Sequence, residues 1–140
     1  MKSFQCETLI RAKPETVWRI LTDAPNYPAW NTTVTKVEGT IALGQKITVH
    51  AKISPDRAFP LKVTALEAPT RMVWTGGMPL GLFKGERTFT LTPEAGGVRF
   101  SMREQFTGLF AGLITKSMPD LGPAFEELAA CLEAKAEAED

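Results

Sequence analysis

Between Leu82 and Thr107, apolar and polar side chains alternate almost without a break. Phe83, Gly85, Arg87, Phe89 and Leu91 fall on one face, and Lys84, Glu86, Thr88, Thr90 and Thr92 on the other. Beyond Glu94–Gly97, Val98, Phe100, Met102, Glu104 and Phe106 alternate with Arg99, Ser101, Arg103, Gln105 and Thr107. A period of two marks half-buried strands, so the stretch predicts a β-hairpin. With the turn at 94–97, Pro93 faces Val98 and Arg87 falls opposite Glu104. Two charges on an otherwise apolar face are costly unless paired or wetted. The face therefore either buries an ion pair or lines a cavity that holds something polar.

The same reading extends along the chain. Ser3 to Arg11 predicts a first strand with Phe4, Cys6, Thr8 and Ile10 on one face. Pro14 fits the first turn of a helix, where its missing N–H is no loss, and Val17, Trp18, Ile20 and Leu21 give the stripe of a short helix. Tyr27-Pro28-Ala29-Trp30-Asn31 predicts a compact turn or one helical turn. Strands are expected over 33–38, over 45–53 with Ile47, Val49, Ala51 and Ile53 inward, over 59–66, and over 71–75. Gly76 to Gly81 reads as a flexible link, and 108–118 as an apolar, glycine-broken segment. Leu121, Phe125, Leu128 and Leu132 recur at helical spacing and predict a long terminal helix to about Glu137. Glu126, Glu127, Glu133 and Glu137 lie away from that stripe, and the acidic tail from Ala134 is expected to fray. The order is β, short α, about six closely connected strands, then one long α. Tight connections imply an antiparallel sheet, and the terminal helix is the element long enough to cover its apolar face.

Length and charge narrow the function classes. A chain of 140 residues is expected to form one domain (1–140) with a sizeable core. Sixteen basic residues balance sixteen acidic ones, which argues against a phosphate-tracking surface and hence against nucleic acid. Cys6 and Cys131 are far apart and in no metal or redox spacing, so both are expected to be reduced thiols in a cytoplasmic protein. The N-terminal residues show no signal-peptide pattern, and no apolar run reaches the roughly 18 residues of a transmembrane span. His50, the single histidine, falls on the outward face of its strand, which argues against a metal site or a Ser-His-Asp triad. No cofactor is implied.

Several motifs carry a resemblance. Ala12-x-Pro14-Glu15-x-Val17-Trp18, Leu21-x-Asp23, Tyr27-Pro28-x-Trp30-Asn31, Phe83-x-Gly85-x-x-x-Phe89 and Glu104-x-Phe106-x-Gly108-x-Phe110 resemble the START-like (SRPBCC) superfamily, in its polyketide cyclase/dehydrase and lipid-transport branch. The resemblance implies an α+β helix-grip fold. Its seven-stranded antiparallel sheet would curve around a long C-terminal helix, with short helices after the first strand and a deep, mostly apolar tunnel between. It also implies a small hydrophobic ligand such as a lipid, quinone or polyketide. Two departures stand out: Arg87 occupies a position where relatives often carry His, and Pro119 and Pro123 bear on the start of the terminal helix.

Trp30, Trp74, Phe83, Phe89, Phe106, Phe110 and Phe125 are candidates for the wall of such a pocket. Met78, Met102 and Met118 join them, because thioethers fill irregular gaps. Arg87 and Glu104 are the candidates for holding a polar end. Arg87 stays protonated, so it serves only as an anion-binding or electrophilic group. An apolar wall favours the protonated carboxyl that a general acid needs, whereas a neighbouring guanidinium favours the carboxylate. Three readings follow: a ligand-binding or transport protein, an enzyme of the cyclase or dehydratase type with Glu104 moving a proton and Arg87 steadying an oxygen, and an interaction module using the outer sheet face. Such a protein is expected to be a monomer or a homodimer.

Overall fold

The structure is a computed structural model and describes residues 2–140. Strand β1 (Lys2–Ile10) is followed by α1 (Pro14–Leu21), a 3-10 turn at Ala24–Asn26 and the single-turn α2 (Tyr27–Trp30). Six strands come next: β2 (Val34–Glu38), β3 (Lys46–Ala51), β4 (Phe59–Glu67), β5 (Arg71–Met78), β6 (Phe83–Glu94) and β7 (Gly97–Thr107). The short α3 (Ala111–Lys116) and the long α4 (Gly122–Glu139) end the chain. All seven strands form one antiparallel sheet in the order β1-β7-β6-β5-β4-β3-β2.

The register of the central hairpin follows from its turn. Glu94 pairs with Gly97, so Pro93 meets Val98 and Arg87 meets Glu104. Gly96 at the tip takes φ +83°, which a side chain would resist. Gly97 is held by a neighbour instead: a Cβ there would lie 2.1 Å from the Ile10 carbonyl oxygen. Transverse rows cross the inner face. Cys6, Met102, Phe89 and Met72 make one, and Phe4, Glu104, Arg87, Trp74 and Val63 the next. Helix α4 packs across β1 and α1 and buries Phe125, Leu128, Ala129, Leu132 and Ala136. Burying a side chain such as Leu132 stabilises the fold by about 1.5–3 kcal/mol.

Four expectations are corrected. Strand β5 does not stop at Thr75. It runs through Gly76, Gly77 and Met78, which pair with Gly85, Lys84 and Phe83, because a hairpin partner supplies the ladder that local propensity lacks. The 108–118 segment contains α3, entered through Gly108 at φ +114°. The acidic tail is docked, not frayed: Ala136 is buried and the helix runs to Glu139. The carboxylates expected to face solvent hold it there. Glu133 accepts from Thr8 Oγ1 at 2.5 Å, Glu137 from the Arg11 backbone N–H at 3.0 Å and Asp140 from Thr16 Oγ1 at 2.9 Å, while Glu139 pairs with Arg19 and Lys135. Ile53, expected inward, lies beyond the end of β3 and is exposed. Pro123 sits in the first turn of α4, where it is tolerated.

Candidate ligand site between the sheet and the terminal helix

Arg87 and Glu104 project from directly paired positions of β6 and β7 on the inner face. Arg87 Nε donates to Glu104 Oε1 at 2.6 Å. The guanidinium also lies over the Phe125 ring of α4, 5.0 Å from its centroid, a contact worth about 0.5–2 kcal/mol. The side chains retain 23% and 15% of their exposure respectively, so solvent reaches this pair, although it lines neither of the two clefts at the ends of the sheet.

Apolar groups frame it. On one side Phe4 touches Phe125 and Phe106, with ring centroids 6.1 and 6.3 Å away. Phe83 stacks on Phe106 at 5.8 Å. Gly85 makes that possible, since a Cβ there would press the Phe106 ring at 3.2 Å. On the other side Trp74 is the cross-strand neighbour of Arg87. Its ring meets Phe89 at 4.8 Å and Tyr27 at 6.1 Å, and Tyr27 in turn meets Trp30 at 5.0 Å. Thus α2, a turn dense in aromatics, delivers Tyr27 and Trp30 against the sheet.

This aromatic corner is rich in hydrogen-bond donors. Trp30 Nε1, Trp74 Nε1 and Asn31 Nδ2 are buried with no partner among the described residues. Each such donor costs on the order of 1–3 kcal/mol until an acceptor reaches it. Asn31 Oδ1 is satisfied by Thr33, through its N–H at 2.9 Å and its hydroxyl at 2.6 Å. Burial pushes the Tyr27 phenol far above its ordinary range, so it remains neutral and donates to the Leu21 carbonyl at 2.5 Å. Burial, followed by the charge of Glu126, pushes the Cys6 thiol up to about 11.

The predicted site residues divide between two zones. Trp30, Trp74, Phe89, Met102, Phe106 and Phe125 are buried in the interior around the ion pair. Met78 and Phe110 are exposed at the end of the sheet where β5 turns into β6 and β7 leaves for α3, with Phe83 and Met118 partly buried. An open cleft of about 420 Å³ at that end is lined by residues of 75–84, including Met78, Pro79 and Phe83. A second, of about 290 Å³, lies at the opposite end beside Lys13, Gly96 and Asp140. Sequence reasoning did not single out Phe4, Cys6 or Tyr27 for the site. Phe4 and Cys6 join it only because β1 pairs with the last strand, a non-local event with no local signal.

His50 is bonded to Glu38, Nε2 to Oε1 at 2.6 Å, on the outer face. Among the described residues no group of three His, Cys, Asp or Glu side chains is placed to hold a metal ion, and no helix is long and apolar enough to cross a membrane.

A curled antiparallel sheet gripping a C-terminal helix defines the helix-grip class. Comparison with known proteins places the chain within it: residues 1–137 match the model of the family described as polyketide cyclase/dehydrase and lipid transport, and the chain belongs to that family. Among curated proteins none matches. Solved structures with the same fold include protein MLL2253 from Mesorhizobium loti (20% identity, 99% of both chains, TM-score 0.77) and protein CV1439 from Chromobacterium violaceum (20%, 96% of both, 0.73). A START superfamily protein from Mycobacterium smegmatis is similar as well (18%, 99% of both, 0.70). Family membership supports binding of a hydrophobic ligand as the general activity.

Proposed function

We propose that this protein binds a small apolar ligand with one polar end in the space between the sheet and α4, and that Arg87 and Glu104 orient that end. The observation that carries this reading is the partly accessible ion pair set into an apolar wall. Its charges cancel, so it favours a polar group without net charge. The unpartnered N–H groups of Trp30, Trp74 and Asn31 favour a group that accepts hydrogen bonds, such as a carbonyl. The aromatic and thioether side chains on either side would hold the apolar remainder.

Catalysis by Glu104 receives less support, because its Oε1 is already engaged by Arg87. The outer sheet face carries solvated ion pairs such as Lys84–Glu86 and Arg99–Glu94, which gives little support to a docking role for that face. The test is native mass spectrometry of protein purified from its own host, under gentle and then denaturing conditions. The expected result is a co-purifying molecule released on denaturation, and its loss in Arg87→Met protein. A clean apo mass, together with no thermal shift across a panel of long-chain ketones, quinones and fatty acids, would overturn the reading.

A further inference from the structure

Arg87 and Glu104 are joined by one hydrogen bond where a guanidinium and a carboxylate can make two. Arg99 shows the fuller arrangement on the outer face. It closes on Glu94 as a fork, with Nε donating to Oε2 at 2.6 Å and Nη2 to Oε1 at 3.2 Å. The inner pair is joined through Arg87 Nε and Glu104 Oε1 alone. Among the described residues Arg87 Nη1 and Nη2 have no acceptor and Glu104 Oε2 has no donor. The Phe125 ring, 5.0 Å from the guanidinium carbon, attracts the charge but offers these N–H groups no lone pair. The three open atoms are not sealed in as Trp30 Nε1, Trp74 Nε1 and Asn31 Nδ2 are, so solvent meets them.

The half-made pair therefore presents donors and an acceptor together, and this selects the chemistry of a ligand's head. A ketone or an ester only accepts, so it satisfies a guanidinium N–H and leaves Glu104 Oε2 bare. A carboxylate also only accepts, and it brings a second negative charge against Glu104. A primary amide does both from adjacent atoms without net charge: its oxygen accepts from Arg87 and its N–H donates to Oε2. That oxygen has a second lone pair, and Trp74, directly paired with Arg87, holds an N–H without an acceptor. Resting on the ligand reading above, we propose that the polar end of the ligand is an amide with its oxygen and N–H on the same side, a primary amide or a lactam. Glu104 Oε2 is the atom that separates it from ketones, esters and acids. A site built to bond both groups rejects an analogue that leaves one of them unpaired.

The test is isothermal titration of the full chain, at neutral pH and below micelle-forming concentrations, with ligands that share an undecyl chain and differ in the head. They are dodecanamide, N,N-dimethyldodecanamide, undecyl methyl ketone, dodecanol and dodecanoate. Dodecanamide is expected to bind tightest, by at least about tenfold over the dimethylamide and the ketone, which keep the oxygen and lack the N–H. Glu104→Gln then reverses the preference. Arg87 can only donate, so it holds the glutamine oxygen on Nε and leaves the side-chain NH2 where Oε2 was. With that acceptor turned into a donor, the ketone is expected to bind at least as tightly as dodecanamide. A misfolded variant would lose every ligand alike, so a reversal cannot come from misfolding, and circular dichroism verifies the fold. Equal binding of amide and ketone to the wild-type protein, tighter binding of dodecanol or dodecanoate, or an amide preference kept in Glu104→Gln would each overturn the amide assignment and leave the ligand reading standing. Binding of none of these ligands to the wild-type protein would overturn the ligand reading and the amide assignment with it.

Discussion

Removing Arg87 while leaving Glu104 in place gives the sharpest test of the interior. Arg87→Met keeps much of the stem but deletes the Nε hydrogen bond to Glu104 and the guanidinium over Phe125. The carboxylate that remains keeps 15% of its exposure and is unpaired. Breaking a buried pair costs about 3–5 kcal/mol when one charge is left behind. The residual exposure of both side chains argues for the lower end, and the lost cation–π contact adds about 1 kcal/mol. The expected loss is therefore about 3–4 kcal/mol, a melting temperature lower by roughly 10–15 °C for a chain of this length. Glu104→Gln should cost less, about 1.5–3 kcal/mol, because the amide oxygen still accepts from Nε. Replacing both, as Arg87→Met/Glu104→Leu, removes the unpaired charge and should come within about 1 kcal/mol of wild type. Urea unfolding followed by tryptophan fluorescence measures all four proteins, with Trp74 beside the site as reporter. If Arg87→Met costs under about 1 kcal/mol, or Arg87→Met/Glu104→Leu loses no less than Arg87→Met alone, the two charges are wetted and independent, and the argument from burial is wrong.

Three further outcomes follow from the packing. Gly97→Ala would place a Cβ 2.1 Å from the Ile10 oxygen, so backbone must shift where β1 meets β7; a loss of about 1–3 kcal/mol in urea unfolding is expected, and an unchanged midpoint would contradict it. Leu132→Ala empties a fully buried position on α4 and should cost about 2–5 kcal/mol, with a calorimetric scan as the measure. The Cys6 thiol, raised by burial from 9.0 to about 11, is protonated more strongly in the folded than in the unfolded chain. Its contribution is complete below about pH 9 and is lost as the pH rises towards 11. Cys6→Ala protein should lack that part of the alkaline decline, and a disulfide reagent at pH 8 should label Cys131 well before Cys6.

The hairpin was legible in detail because one alternating pattern and one glycine turn determine its register, and hence the Arg87–Glu104 pairing. The β5 extension was hidden because Gly76 and Gly77 are poor strand formers. They pair because Gly85 and Lys84 lie opposite, and Gly76 leaves room for Leu61, which a Cβ would meet at 2.6 Å. The acidic tail was misjudged for a similar reason: carboxylates on a helix look solvated until their partners, Thr8, Thr16 and Arg19, arrive from the far end of the chain. Trp30 and Trp74 could be picked out as aromatics. Their unpartnered N–H groups could not, since hydrogen-bond satisfaction depends on what surrounds an atom in three dimensions.

The placement of β1 beside β7 has a consequence for how the chain reaches its native state. Strand β1 is completed by β7 and α4, and the Thr8–Glu133 bond spans 125 positions. Until β7 is available β1 has no strand partner, which leaves its edge open to mispairing with other chains. Closure over so long a loop favours slow folding. A chain stopped before β7 would have its remaining strands yet lack both the partner of β1 and the cover of the inner face, so the sheet cannot close until β7 and α4 are in place.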